Sequence, residues 1–595
     1  MSSPKKAKLD MASIAWDHYR NFLDSQDDDN EEGDVDELVE LLEILEPRVA
    51  RNLTDFDFQT KTSMLPIVCS VAHCYLASSA INQTVDQEAD TSKEVWHHLK
   101  ASLEYFSQNA ATWSMGANFA RMTQQASPTQ VCAWYVKAAE CASMLRSRAL
   151  SLLEGLDEVS DDVKEWIELL LLNGIVGSEY VCDNDEEEEA QVESTDGMEN
   201  EETEDIEPKE ENGYFSASTV EATSRFMAAM LLSTLGKHDQ ALQQLQRFHL
   251  THRLHPNVWS NTTTTDNIPT KRMLPCTFAQ EALPAPLYDR LCHALRPDAS
   301  YWKESDYAHR GYYSYFFDID QPTNFIEDVI VHHLLLRAQQ VLKNSGDDSK
   351  IVGAEWWPHT RPIQANLGHQ LHFDTDEALL AQEGKITHPI LSSVLYLTRN
   401  NSSSTESPAG ATIVLDQTPD STEVAQVAWR SVPRNNTYMV FPGNLLHGVL
   451  PCPGSSDDAT YPVKDTPSLQ WEDSITTDQK NHRLTFMVGF WTRRVPDTMK
   501  ERRLYGPCGP LPPANDEHTW VKEIQDGYPK ATSDMGSVDK FETIPLPKVS
   551  PAWERIVSEE TGEVDPPLQL PRGIDHRFFV QSAPQCFRDS LFHKD

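Results

Sequence analysis

The stretch QLHFDTDEALL, residues 370–380, alternates apolar and metal-competent side chains over Leu371, His372, Phe373 and Asp374. A period of two is the period of a β-strand, so His372 and Asp374 share one face and Leu371 and Phe373 the other. An imidazole and a carboxylate two residues apart on one strand face make half of a metal site. Alone the pattern says little, because His593-Lys594-Asp595 repeats it outside any strand pattern. His369, three residues before His372, falls on the opposite face by the same parity. Asp376 competes with Asp374 only if the strand runs that far.

The flanking sequence supplies strands for this one to pair with. KIVGAEWWP, RPIQANLG, LSSVLYLTR, ATIVLDQ, TYMVFPG and RLTFMVGFWTR are short β-type runs parted by Pro, Gly, Asn and Ser. Seven such strands fit a double-sheet jelly-roll barrel. Two helical patterns, EALPAPLYDRLCHALRP and TNFIEDVIVHHLLLRAQQVLK, precede it and would brace its outer face. In NTYMVFPGNLLHGVLP a strand, a Pro442-Gly443 turn and then His447 follow one another. In HRLTFMVGFW, Arg483 and Thr485 lie on one face and Leu484, Phe486, Val488 and Phe490 on the other.

The chain has 595 residues, which implies about two or three domains. The fold class expected is α+β multidomain. Residues 1–33 are read as disordered and 34–260 as a helical domain. Residues 270–510 are read as the double-stranded β-helix (jelly-roll) with its bracing helices, and 511–595 as an irregular C-terminal extension. Runs such as DELVELLEILEPRVARNL and VCAWYVKAAECASMLRSRALSLLEGL carry apolar residues at three- and four-residue steps, with alanines where helices must approach closely. STVEATSRFMAAMLLSTLGKHDQALQQLQRF reads as a helical hairpin of tetratricopeptide type turning at Gly236. One such unit without a regular 34-residue period fits either a short solenoid or a plain helical domain.

The net charge of −42 is unevenly spread. Residues 183–211 hold 16 acids and one lysine, and residues 27–40 hold nine acids. The insert 183–213 is too polar to offset its ordering entropy and is expected to be disordered. No basic stripe balances this charge, which argues against nucleic acid or an anionic membrane as partner. Ten scattered cysteines without a CxxC read as reduced thiols. The N-terminal MSSPKKAKLD has no apolar signal core, and the run LLLLNGIVG near 169–177 is too short to span a bilayer. The expectation is a soluble intracellular protein, cytoplasmic or nuclear. Lys5, Lys6 and Lys8 read either as a short import signal or as a plain basic terminus.

Two imidazoles and one carboxylate on one face of an iron(II) ion leave positions open for other ligands, as non-haem iron oxygenases require. A dicarboxylate cosubstrate also needs a cation in the barrel, and arginine's planar fork holds a carboxylate through two charge-assisted hydrogen bonds. At this point residues 355–495 resemble the iron(II)- and 2-oxoglutarate-dependent dioxygenases, in their prolyl-hydroxylase-like branch. The resemblance implies iron ligation by His372, Asp374 and His447, which are then the catalytic residues. It also implies that Arg483, with Thr485 beside it and Tyr396 in VLYLT, binds the distal carboxylate of 2-oxoglutarate. PAGATIVLDQ resembles the family's glycine-led strand. Ascorbate is the reductant such enzymes take.

Arg483 departs from the family spacing: a polar segment separates it from His447, where relatives have little more than a turn and part of a strand. Chain length tolerates such an insertion at small cost. Arg493 shares Arg483's strand parity and is the alternative cation. An intact Asp374 favours hydroxylation or demethylation over halogenation. The substrate expected is a protein or peptide, with the helical region as a possible docking module for a protein partner. Arg493, Arg494, Lys500, Arg502 and Arg503 read as a steering patch for an acidic peptide or as a solvated turn. The competing functions are a helical interaction scaffold with a silent barrel and a cupin-like metal barrel that has no use for Arg483.

Overall fold

A computed structural model describes residues 14–22, 35–51, 61–83, 89–154, 217–260, 275–362, 368–397, 410–451, 482–493, 509–525, 542–556, 568 and 579–580, with short internal breaks. Lys5, Lys6 and Lys8, the insert 183–213, LLLLNGIVG, the segment 452–481, Arg494, Lys500, Arg502, Arg503 and the terminal His593-Asp595 lie outside the described residues. The chain divides into two compact units. One comprises Met1–Ala229, Ser456–Ile475 and Gly562–Ile574; the other comprises Met230–Ser455, Thr476–Thr561 and Asp575–Asp595. The class is mixed helix and antiparallel sheet, α+β.

The first unit is helical. It contains α1 (Val35–Leu45), α2 (Lys61–Gln83), α3 (Ala89–Tyr105), α4 (Ala110–Thr123) and α5 (Pro128–Glu154), and most of α6 (Ala217–Thr234). Ala117 and Ala120 on α4 and Ala138 and Ala142 on α5 are fully buried, as close helix approach requires. The helical pattern of residues 94–122 is broken at Asn109, whose Oδ1 accepts from the Thr112 backbone N–H and starts α4. Asn109 also donates to Ser70, and Ser70, Ser102 and Thr112 hydroxyls close a buried network across α2, α3 and α4. The window Met64–Ile81 of α2 is long and apolar enough to cross a membrane, yet 78% of it is buried inside the protein. It reads as a core helix, and the sequence reading overlooked it because Ser70, His73 and Ser79 interrupt the run.

Helix α6 ends in a turn at Gly236 (φ 71°), where Lys237 N–H donates to Leu232 O at 2.8 Å, and α7 (His238–Leu245) follows. That bond closes a six-residue C-cap in which the left-handed position suits glycine.

The second unit is built on sheets whose ladders are all antiparallel. Its strands are β1 (His252–Leu254), β2 (Cys276–Phe278), β3 (Tyr315–Asp318), β4 (Gly353–Pro362), β5 (His369–His372), β6 (Leu391–Tyr396), β7 (Thr412–Leu415) and β8 (Ala428–Ser431). They continue with β9 (Tyr438–Pro442), β10 (His447–Val449), β11 (His482–Trp491), β12 (Ile544–Pro545), β13 (Lys548–Val549), β14 (Trp553–Arg555) and β15 (Phe579–Val580). The seven-stranded sheet runs β12-β2-β9-β6-β11-β4-β3 and the five-stranded sheet β13-β8-β7-β10-β5. A third sheet runs β14-β1-β15.

Strand parity sorts the core into two layers. Leu484, Phe486, Val488 and Phe490 of β11 pack with Leu391 and Leu395 of β6 and with helices on one face of the seven-stranded sheet. Those helices are α8 (Ala285–Ala294), and the segment Phe325–Asn344, in which a π turn at Ile330–Leu334 joins α9 (Phe325–Val329) to α10 (Leu335–Asn344). On the other face, Met487, Val394, Tyr396, Met439 and Phe441 share a core with Val414 and Trp429 of the five-stranded sheet. Each fully buried side chain of this size contributes roughly 1.5–3 kcal/mol. The alternation HRLTFMVGFW thus places Arg483 and Thr485 on the inter-sheet face, both nearly buried.

The segment after residue 510 departs from the expectation of an irregular extension. Trp520 on α11 (Thr519–Gln525) is buried, donates from Nε1 to Ala294 O at 2.9 Å and packs with tilted rings against Tyr301 and Trp356. Strands β12 and β13 form the edges of the two main sheets, with Pro545 on an edge where a missing N–H is tolerated. The composition hid the strands because they are two residues long. Trp520→Ala should lower the unfolding free energy of this unit by about 3–5 kcal/mol in urea denaturation; a change below about 1 kcal/mol would return the segment to the status of an appendage.

Candidate metal centre

Strand β5 ends at His372, so Asp374 lies two residues beyond the strand rather than on it. The alternation in the sequence nevertheless brings the two side chains together. Asp374 Oδ1 lies 3.7 Å from His372 Nε2 and 3.5 Å from His447 Nε2, and the two imidazole rings are 4.3 Å apart. His447 opens β10 and pairs in register with both His372 of β5 and Val414 of β7. Each ring is fixed by its far nitrogen: His372 Nδ1 donates to Gln370 O at 2.8 Å and His447 Nδ1 to Leu445 O at 2.9 Å. This arrangement turns both Nε2 atoms toward the carboxylate, the way outer hydrogen bonds orient metal-binding histidines.

The carboxylate is divided in the same way. Asp374 Oδ2 accepts from Ser392 Oγ at 2.5 Å, while Oδ1 faces the imidazoles. His388 Nδ1 donates to Asp374 O at 2.7 Å and holds the backbone past the strand end. Two imidazole nitrogens and one carboxylate oxygen, with no sulfur, fit iron(II) better than a structural zinc site. The observed edges are slightly wider than the ~3.0–3.4 Å expected for donors at ~2.1 Å from one ion. His18, Glu37 and Glu40 form the other group close enough to share an ion among the described residues, but Glu40 is exposed and no sheet supports them.

Charge follows from burial and contact. Burial, with help from His447 and His369, pushes the His372 pKa well below its ordinary value, so the ring is neutral. Burial also opposes charge on His447, but the Asp374 carboxylate outweighs it and raises that pKa. Burial likewise favours protonated Asp374, yet His447, His372 and Ser392 hold the carboxyl well below its usual range.

The interior cation lies on the neighbouring sheet. Arg483 Nε donates to Gly410 O at 3.0 Å, Nη2 to Thr412 Oγ1 at 3.2 Å and Nη1 to Thr485 Oγ1 at 3.5 Å. Its guanidinium lies 5.7 Å from the Tyr396 ring, and Tyr396 is paired in register with Thr485. Tyr396 Oη donates to Thr412 Oγ1 at 2.9 Å. Gly410, the glycine of PAGATIVLDQ, has φ 67° and carries the carbonyl that Arg483 grips. On β7, Thr412 reaches Arg483 and Val414 faces His447, a separation of about 7 Å along the strand.

The alternatives left open by the sequence pair with each other. Arg493 Nη2 binds Asp376 Oδ2 and Thr387 Oγ1, and Asp376 also caps Leu379 N–H. Asp376 therefore holds Arg493 rather than facing the imidazoles. Parity misplaced His369. The β5–β10 ladder shifts between His447 and Val449, and the His369 ring comes edge-on to His372 at 4.7 Å. Strand alternation missed His388 and Thr412 because one lies in a loop and the other reaches the site from the opposite sheet. Ser392 shares the parity of Val394 and Tyr396 and was within reach of the pattern.

No protein-family model matches the sequence, and no curated protein matches it. Among solved structures, the chain is similar to a prolyl-4-hydroxylase of Pseudomonas putida, at 15% identity and a TM-score of 0.21 over 36% of this chain and 84% of that one. It is also similar to a prolyl 4-hydroxylase of Phytophthora capsici, at 10% identity and a TM-score of 0.21 over 38% of this chain and 64% of that one.

Two outcomes test the geometry. A Cβ at Gly448 would lie 2.8 Å from His369 O and 2.9 Å from Gln370 O, both backbone atoms. Gly448→Ala should push β10 from β5, part the two imidazoles and weaken metal binding by tenfold or more while far-ultraviolet circular dichroism stays unchanged; unaltered affinity would contradict the close approach. The metal-free chain keeps a proton on His447 up to its raised pKa, and a metal must displace it. Metal affinity should therefore rise with pH and level off above that pKa, with proton release on binding below it. Calorimetry in buffers of different ionisation enthalpy reads that proton, and none should appear in His447→Gln.

Proposed function

We propose that the sheet-bearing unit is a double-stranded β-helix acting as an iron(II)- and 2-oxoglutarate-dependent dioxygenase. It hydroxylates a protein or peptide side chain and releases succinate and CO2. The observation that carries this reading is the convergence of His372 Nε2 and His447 Nε2 on one oxygen of Asp374, with the buried Arg483 on the same inter-sheet face. A structural ion needs only the first of these; a dicarboxylate cosubstrate needs both.

In this reading His372, Asp374 and His447 hold iron(II), and Arg483, Thr485 and Tyr396 hold the distal carboxylate of 2-oxoglutarate. Iron(II) and 2-oxoglutarate supply oxidative decarboxylation coupled to oxygen transfer, with ascorbate as reductant. The chain's part is to position and to exclude water. Ser392 keeps one Asp374 oxygen occupied, which limits the carboxylate to a single metal bond. The wall of Val394, Val414, Met439, Phe441 and Met487 lowers the local dielectric and strengthens the Arg483–carboxylate bond. The dioxygenase domain begins near residue 270, and the helical region before it, with its tetratricopeptide-like hairpin, recruits the protein partner.

Arg483→Ala should abolish 2-oxoglutarate-dependent succinate formation while leaving metal affinity within about threefold, because the cation is not a ligand. Arg483→Lys should raise the KM for 2-oxoglutarate by roughly tenfold or more through loss of the bidentate fork. Full succinate formation in Arg483→Ala would leave a cupin-like metal barrel as the better description.

A further inference from the structure

A row of aromatic rings leads away from the metal cluster. The His372 ring meets the His369 ring at 4.7 Å between centroids, and His369 meets His359 at 5.6 Å. His359 in turn meets Tyr307 at 5.8 Å, and Tyr307 meets Trp302 at 4.9 Å. His359 lies on β4 in register with Thr485 of β11, which puts it on the inter-sheet face that also carries Arg483. Trp302 belongs to the short helix Ser300–Glu304, and Tyr307 follows that helix. Both are half-buried, so the row runs from the metal cluster to the surface.

The rings differ in what they can do with an electron. Imidazole is harder to oxidise than phenol, so His369 and His359 conduct by contact without being oxidised themselves. Tyr307 is the first ring in the row that gives up an electron readily. A phenol keeps its proton to about pH 10, whereas its oxidised form sheds it at once, so oxidation is easiest where a base stands ready. Tyr307 Oη lies 2.5 Å from His359 Nδ1, and the imidazole tautomer protonated on Nε2 makes Nδ1 that base. Tyr396 has no such base, because its hydroxyl meets the Thr412 hydroxyl, the Ser431 carbonyl and the Met439 sulfur. Trp302 is also the poorer donor: its Nε1–H is bonded at 2.8 Å to Arg296 O, a carbonyl that cannot take the proton.

An oxidant left unspent at the centre endangers the chain that holds it. The Phe441 ring lies 4.8 Å from the His447 ring, and Met439 shares the same core layer. Methionine oxidises to the sulfoxide, a polar group that disrupts an apolar core. An electron drawn from Tyr307 spares both.

We propose that Tyr307 is an electron donor to the metal centre, with His359 Nδ1 as the acceptor of its proton and His369 as the bridge to His372. The device discharges the centre when dioxygen and 2-oxoglutarate react without a substrate. That uncoupled reaction leaves an oxidant two electrons and two protons short of iron(II) and water. In each discharge one electron passes from Tyr307 to the centre and the phenol proton passes to His359, leaving a neutral tyrosyl radical and an imidazolium. Ascorbate then gives the radical one electron and releases one proton to water, and the imidazolium returns its own proton to the phenol oxygen. Two such cycles, with two protons taken up from water at the centre, complete the balance. The proposal rests on the iron-binding part of the dioxygenase reading; 2-oxoglutarate matters only as the source of the oxidant.

The test challenges the iron(II)-loaded full-length chain with hydrogen peroxide, a two-electron oxidant that needs no 2-oxoglutarate, and freeze-quenches it for electron paramagnetic resonance. A tyrosyl radical should form, narrow when ring-deuterated tyrosine is incorporated, and be missing from Tyr307→Phe and from the metal-free chain. His359→Leu keeps the phenol but loses the base, and should lower the radical yield by about tenfold or more. Peptide mapping by mass spectrometry should find more Met439 sulfoxide and more hydroxylated Phe441 in Tyr307→Phe than in the parent. The same radical in Tyr307→Phe, an undiminished one in His359→Leu, or none in the iron-loaded parent would overturn the proposal, as would equal oxidation at both core positions. Succinate formation with iron(II) and 2-oxoglutarate, measured in parallel, separates the two readings. A Tyr307 radical in a chain that forms no succinate sinks the dioxygenase reading alone, whereas succinate without that radical sinks the electron donor alone.

Discussion

The second unit turns on one carboxylate oxygen facing two imidazole nitrogens. Asp374 Oδ1, His372 Nε2 and His447 Nε2 come from a strand end, a loop and the start of another strand. Three polar groups brought together in a largely buried place would cost stability unless each were held by further bonds. The structure supplies them. Gln370 O and Leu445 O fix the two rings, and Ser392 fixes the second carboxylate oxygen. The three candidate donor atoms are therefore held in place by the protein's own hydrogen bonds, so an ion bound there would not have to supply the energy of ordering them.

The sheets exist in the form that keeps this cluster assembled. Antiparallel pairing puts His447 opposite His372 and Val414, and Gly448 permits the close approach of β10 to β5. The seven-stranded sheet is held flat against its helices by one set of β11 side chains and carries Arg483 on the other. Trp520 closes the helix-covered side from a segment more than a hundred residues beyond β5 in sequence. A single parity along HRLTFMVGFW thus serves both the fold and the site.

Local alternation was readable in the sequence, and long-range register was not. The faces of His372, Arg483 and Thr485 were legible because they lie on strands with period-two patterning, whereas the roles expected of His447 and Tyr396 came from the family resemblance. His369 was misassigned because a ladder shift between His447 and Val449 breaks that rule, and a shift leaves no trace in composition. The Arg493–Asp376 pair joins residues over a hundred positions apart, which no local pattern encodes. Strand β8 and the short strands after residue 540 escaped notice because two to four residues carry no measurable period. The helical unit was legible as helix, while its break at Asn109 depends on a cap that only three-dimensional contact makes plain.

The central claim is that one ion and one 2-oxo acid share the site between His372, Asp374, His447 and Arg483. The most direct measurement is an anaerobic titration of the full chain with iron(II) and then 2-oxoglutarate, followed by visible absorption. A weak charge-transfer band should develop on adding 2-oxoglutarate and saturate at one equivalent, and it should be missing in His372→Ala. Iron bound without any such band, or an equal band in His372→Ala, would contradict the account.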